Sequence, residues 1–294
     1  MPVLHQMPPY NLFGVFDPDY ESAKVVVLPI PYDSTTTYKS GARDGPHAII
    51  DASRNLEFFN EEIGDDVTKI GIYTLEELEP SFKSPDETIN RIEKEVSLIL
   101  EAGKMPLLLG GEHSIAMGSI RAEGKKYGKD GFSVIHFDAH SDSRDEYMGS
   151  KYCHACVMAR ARESCSSCIS VGVRSTDEEG FKKYRNETIY RKDMHGRKAE
   201  DIADEIIKKT KNKVYITIDL DVLDPSILPS TGTPEPDGLS FHELASILKN
   251  ILTKKELIGA DFNELSPIGG IVAPNFLVAK LILLTLGYAF ASKA

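Results

Sequence analysis

Basic residues are in short supply in this 294-residue chain: 34 Lys and Arg stand against 45 Asp and Glu, a formal charge of −11. A surface of that sign repels phosphate backbones and anionic headgroups, which excludes nucleic acid and a membrane surface as expected partners and favours a small cation. Long hydrophobic runs are missing too. No eighteen apolar residues follow one another uninterrupted, and the opening "MPVLHQMPPYNLFGVF" has no basic stretch leading into an apolar one. A spanning helix and a secretory leader are therefore not expected, and a cytoplasmic protein is. Repeats, low-complexity tracts and polar linkers are also lacking, so one domain is expected over residues 1–294, long enough to bury a substantial core.

Cysteine is scarce. Cys153, Cys156, Cys165 and Cys168 form CxxC twice within sixteen residues, a spacing that a four-thiolate zinc site can have. The stretch between, "CHACVMARARESC", holds helix formers and no Gly or Pro. A helix rising ~1.5 Å per residue keeps Cys156 and Cys165 ~13 Å apart, whereas zinc gathers its sulfurs at ~2.3 Å. Buried or redox-tuned thiols are expected instead.

Apolar, β-branched runs are plentiful. They fall at 23–30, 68–74, 105–110, 132–138, 168–174, 187–190, 213–221 and 257–263, and helical patterns fall at 86–103, 114–127, 154–164, 198–210, 240–253 and 274–290. Several runs are apolar on both faces, the mark of strands covered on both sides. Alternation of strand and helix predicts an α/β fold with a mostly parallel sheet between helices. Ligands of such sheets gather outside the carboxyl ends of the strands.

Three of those ends carry unusual residues: "GGEHS" with His113, "DAHSD" with Asp138, His140 and Asp142, and "DLD" with Asp219 and Asp221. In extended backbone, residues two apart share a side, so each acidic motif presents its groups together. The Gly pair before His113 is expected to allow a tight turn. Taken singly, an Asp at a strand end is a helix cap. Taken together, the four carboxylates repel, and no Lys or Arg stands in these motifs to neutralise them. Divalent cations supply the missing charge. Carboxylates and imidazoles without thiolate suit Mn2+ better than Zn2+, with Fe2+ or Co2+ as replacements. Six ligating residues exceed what one open metal takes, which points to two metals sharing carboxylates.

"LLLGGEHSI", "HFDAHSD" and "TIDLDVLDP…TGTPEPDGLS", with "GARDGPHAI" and "DFNELSP", resemble the signature blocks of the arginase and agmatinase superfamily of ureohydrolases. The resemblance covers most of the chain. It implies a three-layer αβα sandwich around a parallel sheet of about eight strands. It implies two Mn2+ per subunit, one held by His113, Asp138, Asp142 and Asp219, the other by His140 and Asp221 with Asp138 and Asp219 bridging. A hydroxide between the metals is then the nucleophile, Asp142 passes its proton to the departing amine, and Glu264 holds the guanidinium through a charge-assisted pair of hydrogen bonds. His154 matches a family histidine that shuttles protons at the pocket mouth, although Ala155 follows it where many relatives have Gly. His136 is read as a core residue or one that orients Asp138, and Asp224 as a turn former. His5, His47, His195 and His242 receive no role.

The loop "SRDEYMGSKYCHAC" looks like that of the agmatinase branch of archaea and bacteria. Hydrolysis of agmatine to putrescine and urea is thus the leading expectation, with Asp145, Glu146 and Glu235 drawing in the distal ammonium. N1-aminopropylagmatine is the nearest rival, followed by guanidinobutyrate and arginine. A single-zinc deacetylase, whose fold is similar, and a non-catalytic zinc module are the rivals of other classes. Relatives assemble as trimers or hexamers, so a homo-oligomer is implied.

Overall fold

A computed structural model describes residues 7–290. Its strands are β1 (Val25–Ile30), β2 (Phe59–Asn60), β3 (Asp65–Asp66), β4 (Ile72–Thr74), β5 (Met105–Gly110), β6 (Ser133–Phe137), β7 (Cys168–Val173), β8 (Thr188–Tyr190), β9 (Lys213–Asp219) and β10 (Glu256–Asn263). Its α-helices are α1 (Gly45–Ser53), α2 (Pro85–Glu101), α3 (Ala116–Tyr127), α4 (Val157–Ser164), α5 (Glu178–Tyr184), α6 (Ala199–Lys209), α7 (Phe241–Leu252) and α8 (Ala273–Phe290). All but β2 and β3 join one eight-stranded sheet in the order β4-β1-β5-β10-β9-β6-β7-β8, every pair parallel.

Each sheet strand falls on one of the eight expected runs. β1, β5, β6 and β7 are buried along their whole length, because helices cover both faces. α2, α3 and α4 pack in succession on one side, and α6, α7, α8 and α1 on the other. The larger core lies under the second set and includes Ile216, Ile218, Phe262 and Ile282. α8 is apolar all round, long and apolar enough by composition to cross a membrane. Its position against α1 and α7 inside the protein accounts for that composition.

The run at 68–74 starts as a 3-10 turn, Val67–Ile70, and only Ile72–Thr74 pairs. The run at 213–221 stops at Asp219, where a second 3-10 turn begins. α1 and α5 fall outside the expected helices. α1 opens on Gly45-Pro46, a pair that reads as a turn, yet Pro is favourable in a first helical turn. α5 is short and polar, and the Asp177 side chain starts it by accepting from Gly180 N at 2.7 Å. In the middle of the sheet β5, β10, β9 and β6 lie side by side, so their carboxyl ends open onto one crevice.

Candidate metal centre

The acidic motifs meet in that crevice, though not by straight extension. Asp219 ends β9 and its side chain accepts from Asp221 N at 3.0 Å, capping the turn Leu220–Val222. This turn, rather than extended alternation, puts the two carboxylates together. Asp221 in turn accepts from Ala139 N at 3.0 Å, tying the end of β9 to the end of β6. Asp142 likewise departs from extended backbone, with φ at 43°. The reversal carries its side chain back toward Asp138, and its carbonyl receives Met158 N at 2.9 Å.

The Gly pair before His113 has a different reason from the expected tight turn. Neither Gly110 nor Gly111 takes a left-handed φ. A Cβ on Gly111 would lie 1.9 Å from the Tyr32 carbonyl oxygen, and one on Gly110 would lie 1.9 Å from Asn263 Oδ1. Close backbone approach excludes a side chain at both.

Two groups of side chains could hold cations: His113, His136, Asp138 and Asp142, and next to them Asp138, His140 and Asp221, the ligating atoms of each group lying within 4.8 Å of one another. His113 Nδ1 stands 3.2 Å from Asp142, 3.3 Å from Asp138 and 3.4 Å from Asp219. It is buried and makes no hydrogen bond. His140 Nδ1 is 2.9 Å from Asp221 and 3.4 Å from Asp138. All six expected ligands therefore converge. His136 stands behind Asp138, with Nε2 at 2.7 Å from its Oδ2 and Nδ1 at 3.0 Å from Ser170 Oγ, a geometry that orients the carboxylate.

Burial, then Asp221 and Asp138, pushes the Asp219 carboxyl well above its ordinary range. Burial and Asp138 raise Asp221. Burial also opposes ionisation of Asp138, but His136, His113 and His140 outweigh it and hold that group well below the usual range. Burial lowers His140, yet Asp221 and Asp138 prevail and bring it to about 12. Protein groups alone can balance this much negative charge only by protonating imidazoles and carboxyls. A divalent pair removes the conflict, and a buried imidazole nitrogen facing three carboxylates without a hydrogen bond is the donor set such a pair requires.

Sequence patterns do not reveal the support of His113. Asp261 accepts from Tyr215 Oη and from Thr217 Oγ1, both at 2.6 Å, and from Asn263 Nδ2. The Thr217 proton is thus committed to Asp261, and its oxygen accepts from His113 Nε2 at 2.8 Å. In the neutral ring that relay keeps the proton on Nε2, so Nδ1 is the nitrogen that would offer a lone pair to a cation. Arg174, just past β7, is another supporting residue that the patterns miss. It donates to the carbonyls of Asp221 at 2.6 Å, Pro236 at 2.8 Å and Glu235 at 2.9 Å, fastening the loop after β9 to the sheet. Asp261 opens the "DFNELSP" block, yet nothing local assigns it this role, and Arg174 stands outside the quoted blocks.

A cavity of about 250 Å³ opens above these groups. Glu264 lies in its wall, with φ at 69°. Its Oε1 accepts from His113 N at 2.7 Å and its own N–H donates to the Gly111 carbonyl at 2.7 Å. Burial, reinforced by Glu112, pushes its carboxyl up to about 8. Left-handed backbone at Asp142 and Glu264 marks strain held at two residues of the site. His154 lines the mouth, its Nε2 3.4 Å from Thr37 Oγ1 and its ring edge-on to Tyr147 at 6.2 Å. Buried Glu112 anchors that wall by accepting from Thr35 N at 2.6 Å.

The acids expected to meet a distal ammonium are placed otherwise. Asp145 is paired with Arg160 and, at 3.5 Å, with Lys151, and it lines a neighbouring hollow together with Glu146. Local ion pairing has already claimed it. Glu235 stands 3.7 Å from His140 Nε2. Asp177, which caps α5 and stands 3.6 Å from Arg144, lies in the outer cavity wall alongside Thr36, Thr37, Ser143 and Thr176. Asp224 does fix a turn, accepting from Ser226 N at 3.0 Å and Gly238 N at 2.9 Å. His47 pairs with Glu77 at 2.8 Å and His195 with Asp237 at 3.0 Å, both away from the cavity, and His242 lines a separate hollow. His5 lies outside the described residues. The four cysteines are buried free thiols, and among the described residues the groups able to hold a metal are those of His and Asp.

Residues 23–287 match the model of the arginase family. The chain is 38% identical over 259 residues to the N(1)-aminopropylagmatine ureohydrolase of Thermus thermophilus, covering 88% of each. It is 34% identical over 264 residues to the agmatinase of Bacillus subtilis, covering 88% of this chain and 89% of the relative. The solved agmatine ureohydrolase of Thermoplasma volcanium superimposes with a TM-score of 0.83 at 35% identity, over 92% of this chain and 91% of that one. With the converging His and Asp side chains at the ends of the middle strands, these matches establish the chain as a member of the arginase family, a hydrolase of the ureohydrolase kind.

Proposed function

We propose that the protein hydrolyses agmatine to putrescine and urea with two Mn2+. The observation that carries this reading is a pair of His/Asp groups sharing Asp138, with the carboxyl of Glu264 in the wall of the cavity above them. The residues that would hold the two ions are His113, Asp138, Asp142 and Asp219 together with His140 and Asp221. When bound, the pair offsets the four carboxylates and acidifies water enough to attack a resonance-stabilised guanidinium carbon near neutral pH.

The protein's own groups do the rest. Glu264 accepts the guanidinium N–H groups, and the cation it receives favours its ionised form. Its hydrogen bond from His113 N fixes where those protons must lie. Asp142 takes the proton of the attacking water and delivers it to the nitrogen that leaves, since an amine departs only when protonated. His154, at the mouth, exchanges protons with solvent. Asp177 and the Thr and Ser hydroxyls of the outer wall receive the distal ammonium.

A second reading is N1-aminopropylagmatine, favoured by the higher identity to an enzyme of that name, 38% against 34% for an agmatinase. A longer polyamine tail also suits an open, hydroxyl-lined wall. The reading includes assembly as trimers or hexamers, supported by family resemblance, and a cytoplasmic setting, supported by the composition of the sequence. Urea release from agmatine, N1-aminopropylagmatine, guanidinobutyrate and arginine, with bound metal quantified, tests it. Agmatine should give the highest kcat/KM. Higher values with N1-aminopropylagmatine select the second reading, and preference for a carboxylate-bearing substrate rejects both.

A further inference from the structure

The cysteine motif has no part in this chemistry, and its two halves are built differently. Cys153 is extended, at φ −133° and ψ 165°, and heads the 3-10 turn His154–Cys156. Cys156 N donates to the Cys153 carbonyl at 2.9 Å. A turn with three residues per revolution eclipses positions three apart, so the two sulfurs meet at 3.3 Å. Cys165 and Cys168 also perturb one another, lowering the first thiol and raising the second, but both sulfurs are in addition donors to core carbonyls. Cys165 Sγ donates to the Phe132 and Ser167 carbonyls, both at 3.3 Å, and Cys168 Sγ to the Cys165 carbonyl at 3.7 Å. The residues enclosed by the first pair, His154 and Ala155, are themselves part of the cavity wall.

We propose that Cys153 and Cys156 form a reversible dithiol–disulfide site, closed by a low-molecular-weight disulfide and reopened by a dithiol reductant, and that closure changes the cavity wall around His154. The Cys153 thiolate attacks one sulfur of the oxidant, forming a mixed disulfide and releasing one thiolate. The Cys156 thiolate then attacks the Cys153 sulfur and releases the second. Two electrons pass to the oxidant, and the two thiol protons go to the released thiolates. The hydrogen bond between the sulfurs holds Cys153 below and Cys156 above the ordinary thiol range, which makes Cys153 the attacking group. Closure needs the sulfurs to approach from 3.3 Å to a bond of ~2.05 Å, a local adjustment of one turn.

A small segment covers the pair. The Ser150 carbonyl lies 3.7 Å from Cys156 Sγ and 3.8 Å from Cys153 Sγ, and the Tyr147 carbonyl 4.0 Å from Cys153 Sγ. The reversal between them has left-handed backbone at Met148 and Gly149, and Met148 is 81% exposed, so an oxidant enters by displacing few buried contacts. A disulfide has no S–H to donate. Oxidation therefore releases the carbonyls of the segment that carries Tyr147, the ring seated against His154. The hydrogen bonds of the two sulfurs run to each other and to this segment, not to the metal-ligating side chains, so the effect falls on substrate binding and on His154.

The thiol claim stands by itself, whereas its effect on turnover rests on the proposed ureohydrolase reading. Full-length Mn2+-loaded protein is equilibrated with oxidised and reduced glutathione in graded ratios, acid-quenched, alkylated and mapped by mass. The peptide holding Cys153 and Cys156 should escape alkylation and weigh two hydrogen atoms less than its free dithiol, reversibly with dithiothreitol, while Cys165 and Cys168 stay alkylated. C153S and C156S should each abolish the change, and the C165S/C168S pair should keep it. Full alkylation of both residues in excess oxidised glutathione overturns the site. Oxidised enzyme should show a KM raised about threefold or more with metal content unchanged. A disulfide that forms without altering KM or kcat overturns the link to His154. Absence of urea release from any guanidino compound rejects the ureohydrolase reading and leaves the mass measurement to decide the thiol claim.

Discussion

Glu123, on α3, is fully buried and neither of its carboxylate oxygens has a hydrogen-bond partner. It lies beside Gly259 of β10, where a Cβ would come within 2.7 Å of its Oε1 and 2.8 Å of the Tyr215 ring. Burial pushes its carboxyl from 4.5 up to about 8, with Lys126 opposing weakly. The folded state therefore binds the extra proton between those two pH values. The associated stability is complete below the lower one and is lost as pH rises through the upper one. Each tenfold difference in proton affinity is worth ~1.4 kcal/mol, so the loss between pH ~5 and pH ~9 is about 4 kcal/mol. Glu123→Met keeps the volume and helix propensity and removes the ionisable group. Urea unfolding of both proteins at matched metal and reductant, across that range, gives a difference in which the titrations of the His and Asp cluster cancel. The Met variant should gain about 4 kcal/mol on the parent as pH rises. A gap constant to within about 1 kcal/mol would refute the reasoning.

Asp261→Asn removes the acceptor that commits the Thr217 proton, and should weaken Mn2+ binding roughly 10–100-fold in chelator competition; unchanged affinity would show that the relay does not orient His113. Glu264→Gln should lower kcat/KM for the preferred guanidino substrate by about 10²–10³-fold, and equal activity would remove Glu264 from the binding role. Its metal content, measured in parallel, should stay that of the parent. Gly111→Ala forces a Cβ to within 1.9 Å of the Tyr32 carbonyl oxygen, so thermal unfolding should show destabilisation of about 3 kcal/mol or more.

Parallel strands covered on both faces read as unbroken apolar runs, which is why "VVVLPI" and "SVIHF" can be located without coordinates. α1 and α5 carry weaker patterns, a Gly-Pro start in one and a polar seven-residue span in the other, so their helicity depends on capping and on neighbours. The acids and imidazoles of the crevice are readable because four carboxylates without a matching cation imply one. The acids of the 143–156 loop mislead for the same reason in reverse. Asp145 finds its cation in Arg160, fifteen residues along, a pairing that only the packed loop and α4 create.

By itself the sequence determines the strand and helix periodicity and the residue types at the strand ends, since both depend on neighbours along the chain. Tertiary structure decides which ends meet. β10, late in the chain, enters the sheet between β5 and β9, and that insertion alone sets Glu264 against His113 and Asp261 against Thr217. The left-handed turn at Asp142 and the close approach of Tyr32 to Gly111 are likewise decided there, because contacts between distant segments select a backbone conformation that no short stretch of residues prefers.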